Sequence, residues 1–209
     1  MCGAYKAPEI QLSIEELREI IADAINSDKW NEDYALAMQT KEGLVRRTDS
    51  VLVGTAEGMR LMRWGFTQHG MEPLPHARSE SILEKPMFCK PARETRCLIP
   101  ALIYYEKAYQ FWPSYADKEN APFFLAGVYR TVFGKATPEF VVVTRDAAPH
   151  ISHIHDRMPV ILPRQAAKEW LRPSADVLGV LAQATLDVCF EPKPQKPQAK
   201  QNEQLSMFS

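Results

Sequence analysis

The sequence predicts a single α+β domain built on a curled, mostly antiparallel β-sheet with a barrel-like core flanked by helices. An amphipathic helix pattern stands near the beginning of the chain, and helical patterns return after residue 163. Between them, residues 49–162 consist largely of short β-rich runs broken by Pro and Gly. Strands grouped between terminal helices, without internal repeats, are typical of this class.

The first helix is expected over Ser13–Ser27, where Ser13 and Glu16 form a capping box and apolar residues recur at helical spacing. Later helices are expected at PRQAAKEWLRP and SADVLGVLAQAT. The predicted strands are VLVGTA, MRLMRWGF, RCLIPALIYYEK, FFLAGVYRTVF, FVVVTRD and MPVILP.

Residues 68–95, rich in Pro, His and charge, are expected to form one long irregular loop, and such loops are commonly functional. The domain is expected to span residues 1–189, before a flexible Pro/Lys/Gln-rich tail over 190–209.

Composition limits the classes of function. The 209 residues carry a net charge of -1, so any surface for nucleic acid must be a local patch. The four cysteines form no CxxC pair, which predicts free thiols in a reducing cytoplasm. No apolar run approaches the ~20 residues that span a bilayer, and the first ten residues lack the apolar core of a signal peptide. We therefore expect a cytoplasmic protein that makes no membrane contact.

Polar residues gather in four short segments: Cys2-Gly3, HARSES (76–81), IYYEK with Glu106, and HISHIHDRMPVIL with His155. Each segment alone has an ordinary explanation, such as a chance cysteine, a solvated strand-end glutamate or a surface ion pair. The HxxHxH spacing lacks the further ligand and the helical context of a zinc site. Neither a metal nor a cofactor is therefore expected.

Taken in order, these segments resemble the SOS response-associated peptidase (SRAP) family. Its signature is Met-Cys-Gly at the N-terminus, a WG element, an N-A-R-x-E-[TS] loop, a strand ending in aromatic-Glu, and I-H-D-R-M-P. Here they stand as MCG, WGF, HARSES, RCLIPALIYYEK and IHDRMPVIL, between residue 1 and about residue 172. The resemblance implies an SRAP-like fold and a DNA-repair protein of the nucleoid that links covalently to abasic sites in single-stranded DNA. The peptidase in the family name refers mainly to autocatalytic exposure of the N-terminal cysteine.

The chemistry of Cys2 fits that implication. Met1 is expected to be removed because the second residue is small, which leaves Cys2 with a free α-amine beside its thiol. An α-amine has a pKa near 7.7–8.0 against about 10.4 for lysine, so it attacks the masked aldehyde of an abasic site more readily at neutral pH. The thiol can then add to the imine carbon and close a five-membered thiazolidine ring.

The resemblance also implies the roles of the catalytic residues, Cys2, Glu106 and His155. Glu106 is expected to act as general acid or base at the amine and the imine. His155 is expected to help open the sugar ring and to assist formation or reversal of the adduct.

Contacts to DNA are expected from a second group: His76, Arg78, Trp64, Thr144 and Arg157. Arg78 is expected to grip a phosphate, Thr144 to donate to one, and Trp64 to stack on or wedge between unpaired bases. Glu80 is expected to orient Arg78, and Asp156 with Arg157 to hold their segment in place.

The chain departs from the family pattern at three places. His76 stands where Asn is usual, and Lys107 stands where an aromatic residue is usual. The early Y-N-x-A-P segment corresponds only to YALAM, at Tyr34–Met38. Histidine cannot reproduce the full hydrogen-bonding pattern of an amide.

The tail carries a further motif, QLSMF, whose key residues are Gln204, Leu205, Met207 and Phe208. It resembles the pentapeptide by which bacterial repair proteins dock on the polymerase sliding clamp. A glutamine for hydrogen bonds and apolar residues for a pocket, on a flexible tether, suit such docking.

Two other hypotheses stay open at the level of sequence. One is a cysteine peptidase or amidohydrolase that uses the Cys2 thiol with His155 as base. The other is a non-catalytic DNA-repair adaptor that acts through its clamp-binding tail.

Overall fold

Alternation of buried side chains along each central strand produces a sheet that is covered on both faces. In Glu139–Asp146, Phe140 and Val142 face one cluster of buried residues while Val141 and Val143 face another. The computed structural model describes residues 3–22, 41, 43–117, 119 and 121–194. Within them the architecture is mixed α and β, with a large curled sheet and few helices, which confirms the predicted fold class.

The strands, in chain order, are β1 Ala4–Ala7, β2 Gly43–Arg46, β3 Ser50–Thr55, β4 Gly58–Trp64, β5 Phe66–Gln68, β6 Met71–Leu74, β7 His76–Arg78, β8 Arg96–Ala101, β9 Ile103–Glu106, β10 Tyr109–Pro113, β11 Phe123–Arg130, β12 Glu139–Asp146, β13 Arg157–Pro159, β14 Ile161–Leu162 and β15 Val188–Pro192. The helices are α1 Ile10–Ala22, α2 Pro86–Glu94, α3 Arg164–Leu171 and α4 Val177–Ala182, with a 3-10 turn at Ser79–Ser81.

The larger sheet closes on itself. Its strands pair in the ring β12–β4–β3–β8–β11–β12, and β7, β13 and β14 extend it at the margins. Most pairs are antiparallel, but β12 pairs in parallel with both β4 and β7. A second sheet has the order β15-β10-β9-β1-β2, and β5 and β6 form a separate hairpin.

Two core clusters hold these layers together. The helix-side cluster joins one face of the ring to the helices through residues such as Leu17, Phe88 and Trp170. The sheet-side cluster joins the other face to the second sheet, where it contains Tyr5 and Tyr104. Segments far apart in sequence are thereby fixed against each other through buried apolar contacts.

Helix α1 starts earlier than the capping box predicts. The amide of Ser13 donates to the carbonyl of Glu9 at 2.9 Å, so Glu9 accepts an intrahelical hydrogen bond and Ser13 lies within the helix. Glu16 instead accepts a hydrogen bond from Arg164 of α3 at 2.7 Å. The predicted end at Ser27 lies outside the described residues.

The expected loop over residues 68–95 is largely ordered secondary structure. It contains β6, β7, the 3-10 turn and α2. Helix α2 was not predicted because Pro91 lies inside it, yet Phe88, Pro91 and Ala92 are all buried against the core. Pro86 occupies the first turn of the helix, where a missing amide hydrogen costs nothing. Tertiary packing therefore outweighs the local cost of the inner proline.

The chain also differs from prediction near its C-terminal end. Strand β15 pairs with β10 over residues 188–192, so it crosses the boundary expected between residues 189 and 190. The predicted helices after residue 163 are present as α3 and α4. None of the helices in the described part of the chain is long and apolar enough to cross a membrane.

Candidate functional site

The N-terminal strand lies beside the strand that ends in Glu106. Ala4 pairs with Tyr105 and Tyr5 with Tyr104 in the antiparallel β1–β9 ladder. Extending that register by one residue sets Gly3 opposite Glu106. Cys2 itself lies outside the described residues, and the structure therefore describes this end of the chain from Gly3 onward.

Glu106 lies at the rim of the core. Tyr104 is buried and stacks on Phe111 with ring centroids 4.8 Å apart. Because side chains two apart on a strand share a face, Glu106 is on the same face as Tyr104, at the point where that face reaches solvent. Its side chain is half-buried.

Trp64 connects the N-terminal strand to the HARSES segment. Its ring centroid lies 5.5 Å from that of Tyr5 and 6.0 Å from that of His76. Its indole Nε1 donates to the carbonyl of Pro75 at 2.9 Å. The side chain is 0% exposed, so the predicted stacking on unpaired bases is wrong for this arrangement. Trp64 is a core residue that positions β1 and β7.

The HARSES segment is a strand at its start. His76, Ala77 and Arg78 pair in parallel with Val142, Val143 and Thr144. His76 is buried, whereas Arg78 is exposed at the end of the strand and is accessible for a phosphate contact.

The predicted phosphate contact of Thr144 is not supported. Thr144 is 0% exposed, and its hydroxyl donates to the carbonyl of Ala77 at 3.4 Å. This hydrogen bond of the Thr144 hydroxyl links β12 to β7.

Arg157 is an internal clamp, which corrects its expected contact with DNA. It is only 9% exposed, and its guanidinium donates to both carboxylate oxygens of Glu80 at 2.9 and 2.8 Å. It also donates to the carboxylate of Asp146 and to the carbonyl of Thr144. Arg157 does hold its segment in place, as the second part of its predicted role requires.

Glu80 thus orients Arg157 and not Arg78, which is a second correction. Burial alone would raise the pKa of Glu80, but hydrogen bonds from Arg157 hold it below the ordinary value. Burial likewise opposes the charge on Arg157, yet its carboxylate partners raise its pKa above the usual value. The pair is therefore charged throughout the physiological range and ties the HARSES segment to the IHDRMP segment.

His155 precedes Arg157 by two residues, and one nitrogen of its ring has two polar neighbours. Its Nδ1 lies 2.7 Å from a carboxylate oxygen of Asp156 and 3.0 Å from the amide nitrogen of Arg157. These two contacts fix the orientation of the imidazole ring.

The flanking residues of His155 join it to the N-terminal strand. Ile154 and Met158 are buried in the sheet-side cluster that also contains Tyr5 and Tyr104. Tyr5, Tyr104 and the neighbours of His155 thus share one core cluster, and HARSES contacts that cluster through the Trp64–His76 ring pair.

The remaining histidines of the HxxHxH run have other contacts. His150 Nε2 donates to the carbonyl of Val188 at 2.9 Å, and the His153 ring lies 6.1 Å from the ring of Phe190. Across the described ranges, no three His, Cys, Asp or Glu side chains come close enough to share a metal ion.

Sequence reasoning missed three residues near the site: Asp146, Tyr109 and Phe190. Asp146 ends β12, and an acidic residue directly after an apolar strand is a signal that could have identified it. Tyr109 and Phe190 stand in strands that were not predicted. Cys2, Tyr34–Met38 and the four tail residues at 204, 205, 207 and 208 lie outside the described part of the chain.

Comparison with solved structures supports the same fold. A protein of Bacteroides thetaiotaomicron superposes with a TM-score of 0.65 at 19% identity, covering 91% of each chain. A phage-related protein of Bordetella bronchiseptica gives a TM-score of 0.64 at 23% identity, over 93% of this chain and 95% of that one.

Sequence relatives carry a consistent description. The abasic site processing protein YoaM of Bacillus subtilis is 36% identical over 57% of this chain and 59% of its own length. The abasic site processing protein YedK of Escherichia coli is 30% identical over 82% of this chain and 80% of its own. The alignments with YobE and YoaM of B. subtilis cover only 48% and 59% of those proteins.

The profile of the SOS response associated peptidase family matches residues 1–193, which include every described strand. The chain therefore belongs to the SOS response associated peptidase (SRAP) family.

Proposed function

We propose that this protein recognises abasic sites in single-stranded DNA and forms a covalent crosslink with them through Cys2, once Met1 has been removed. The names of its relatives as abasic site processing proteins support the choice of target. The observation that supports the mechanism is the β1–β9 register, which pairs Ala4 with Tyr105 and, when extended by one residue, sets Gly3 opposite Glu106. A carboxylate for proton transfer thus stands beside the residue that follows Cys2.

The described start of the chain belongs to the same sheet as that carboxylate. Ala4 pairs with Tyr105, the neighbour of Glu106. This pairing supports Cys2, two residues before Ala4, as the group that Glu106 assists.

The proposed reaction balances with the loss of one water. The α-amine of Cys2 attacks the C1′ aldehyde of the opened abasic sugar to give a carbinolamine, which expels water and becomes an imine. The thiol then adds across the C=N bond, its sulfur bonding to carbon and its proton passing to nitrogen. Glu106 takes a proton from the attacking amine and returns one to the departing hydroxyl.

His155 is proposed to open the sugar ring before the amine attacks. Ring opening moves a proton from the C1′ hydroxyl to the ring oxygen, and an imidazole can act as the general acid and base for that transfer. The paired contacts of Nδ1 with Asp156 and with the Arg157 amide support that relay. Arg78, exposed at the end of β7, is proposed to bind a phosphate of the same strand.

Denaturing gel electrophoresis tests this proposal. Protein free of Met1 is incubated with a single-stranded oligonucleotide whose one uracil has been removed by uracil-DNA glycosylase. A shifted band that survives denaturant is expected for wild type and not for Cys2→Ala or for the uracil-containing control. An equal band from Cys2→Ala would refute the role of Cys2.

The peptidase-like step in this proposal is the exposure of Cys2 by loss of Met1. The intact mass of purified protein should be lower than that of the full sequence by one methionine. Protein that keeps Met1 has no free amine on Cys2 and is expected to give no crosslink.

The QLSMF motif supports an additional proposal, that the tail docks on the polymerase sliding clamp through Gln204, Leu205, Met207 and Phe208. A fluorescent peptide of residues 195–209 should bind purified clamp, and the same peptide with Leu205→Ala and Phe208→Ala should not. Equal binding by both peptides would remove the proposal.

A further inference from the structure

Three ring side chains form a cluster at the exposed edge of the second sheet, which we call the rim platform: Tyr109, Phe190 and His153. The Phe190 ring lies 5.9 Å from that of Tyr109 and 6.1 Å from that of His153, in edge-to-face arrangements. Phe190 also stacks on buried Phe111 at 5.8 Å, which fixes its position. It is nevertheless 36% exposed, and His153 is exposed beside it.

Strand register sets the platform next to the candidate site. Tyr109 pairs directly with Glu106, and Phe190 pairs with Phe111, two residues further along β10. Directly paired residues and residues two apart on a strand share a face, so Glu106, Tyr109 and Phe190 all point to the same side of the sheet. His153 stands two residues before His155. The platform therefore adjoins both proposed proton-transfer residues.

The surroundings of the platform favour a nucleic acid over an apolar protein segment. Lys107 is exposed in the turn between Glu106 and Tyr109 and adopts a positive φ of 49°. Lys193 donates to the carbonyl of Lys107 and lies 5.2 Å from the centroid of the Tyr105 ring, which is at the same end of the sheet but on its opposite face. Aromatic side chains beside an exposed lysine turn match the flat bases and charged phosphates of an unpaired strand.

We propose that the rim platform stacks the unpaired nucleobase next to the abasic nucleotide, with Phe190 as its centre. This inference rests on the proposed function, since it assumes that an abasic strand occupies the site beside Glu106. It replaces Trp64, which is buried, as the residue that contacts bases. Stacking explains how a lesion without a base can be held through its neighbour.

The experiment measures binding separately from chemistry. The probe is a fluorescent single-stranded oligonucleotide with a tetrahydrofuran abasic analogue, which cannot form an imine. A second probe has the analogue at the neighbouring nucleotides as well, so that no flanking base is present. The variants are Phe190→Leu, which keeps apolar packing on Phe111, and Phe190→Tyr, which keeps a ring. Phe133→Leu is the matched control, because Phe133 is 105% exposed and lies in the loop after β11.

We expect Phe190→Leu to weaken binding of the first probe about tenfold, because one base–aromatic stack is lost. The second probe should bind wild type and Phe190→Leu equally, and Phe190→Tyr should restore tight binding of the first. Phe133→Leu should match wild type with both probes. An equal loss with both probes, or no loss with either, would overturn the proposal.

Two further readouts separate the possible failures. If Phe190→Leu changes only the melting temperature or the oligomeric state, the platform serves protein packing and the inference is wrong. Crosslinking of wild type to an aldehyde-bearing oligonucleotide is measured in parallel. If wild type crosslinks but its binding does not depend on the flanking base, the rim platform is overturned and the proposed function stands. If wild type does not crosslink although its binding depends on the flanking base, the proposed function is overturned.

Discussion

Arg157 illustrates how a residue of the signature segment can fix other protein segments of the candidate site. Its guanidinium forms a two-point contact with Glu80 and further contacts with Asp146 and the Thr144 carbonyl. Guanidinium geometry matches a carboxylate at two points, so the pair fixes orientation as well as distance. The residue before Asp156 is His155, and its position depends on that fixed segment.

Replacing Arg157 by alanine should lower the free energy of unfolding by about 2 kcal/mol, because charge-assisted hydrogen bonds to two carboxylates are lost. The cost is limited because Asp146 is mostly exposed and regains water. Urea unfolding measures the change. Lys90→Ala is the control, since Lys90 is 79% exposed and pairs with Glu94 only at 3.8 Å, and it should change stability by less than about 0.5 kcal/mol. Equal effects of the two variants would contradict the clamp.

Glu106→Gln should preserve the fold and slow crosslinking by about 10²- to 10⁴-fold, because glutamine has a similar shape and cannot transfer a proton. Single-turnover kinetics with an abasic single-stranded oligonucleotide measures the rate. Glu57→Gln, whose side chain is 74% exposed in the β3–β4 hairpin, should react like wild type. An unchanged rate in Glu106→Gln would remove Glu106 from the mechanism.

Among the elements, β5 is attached to the large sheet by the buried carboxylate of Glu139. Its oxygens accept hydrogen bonds from the Thr67 amide at 2.9 Å, Lys135 at 2.7 Å and Arg130 at 3.0 Å. Burial alone would raise the pKa of Glu139, but these donors lower it to about 2. The folded state therefore favours the charged form far more than the unfolded state does.

This predicts a specific dependence of stability on pH. Because the folded pKa lies below the unfolded value of 4.5, the contribution is complete above pH 4.5 and is lost as pH falls toward 2. The difference in free energy of unfolding between wild type and Glu139→Gln should shrink by about 2 kcal/mol between pH 6 and pH 3. Denaturant unfolding at both pH values measures it. A difference independent of pH would show that Glu139 is not held as described.

Close packing of the ring strands gives a second prediction at this scale. A Cβ on Gly127 of β11 would lie 2.5 Å from Ile99 Cδ1 and 2.8 Å from Cys97 Sγ. Gly127→Ala should therefore destabilise the protein by about 1–3 kcal/mol through overpacking. Gly3→Ala is the control, because a Cβ at Gly3 would meet nothing within 4 Å. Thermal unfolding compares the two, and equal melting temperatures would contradict the packing.

Elements with a strong periodic pattern were predicted well, and those fixed by tertiary contacts were not. Strands β3, β11 and β12 follow their apolar runs closely. Helix α2 was missed because its inner Pro91 argues against a helix locally, while burial of the same face stabilises it. Strand β7 was missed because three residues are too few to show a period.

At the scale of the molecule, pairing of distant segments creates the site. The sequence indicates that Glu106 and His155 belong together only by resemblance to a family. It does not indicate that Trp64 is buried between Tyr5 and His76, because tryptophan occurs both in protein cores and at binding surfaces. It also does not reveal the rim platform, since the register of β9, β10 and β15 depends on the closed fold.

The central claim is that the aminothiol of Cys2 reacts as a unit beside Glu106. The most direct test is mass spectrometry of the adduct formed by Met1-free protein with an abasic single-stranded oligonucleotide. The account predicts a mass equal to protein plus oligonucleotide minus one water, with the sugar remnant on Cys2 after digestion. The same adduct from protein that keeps Met1, or a remnant on a lysine, would contradict it.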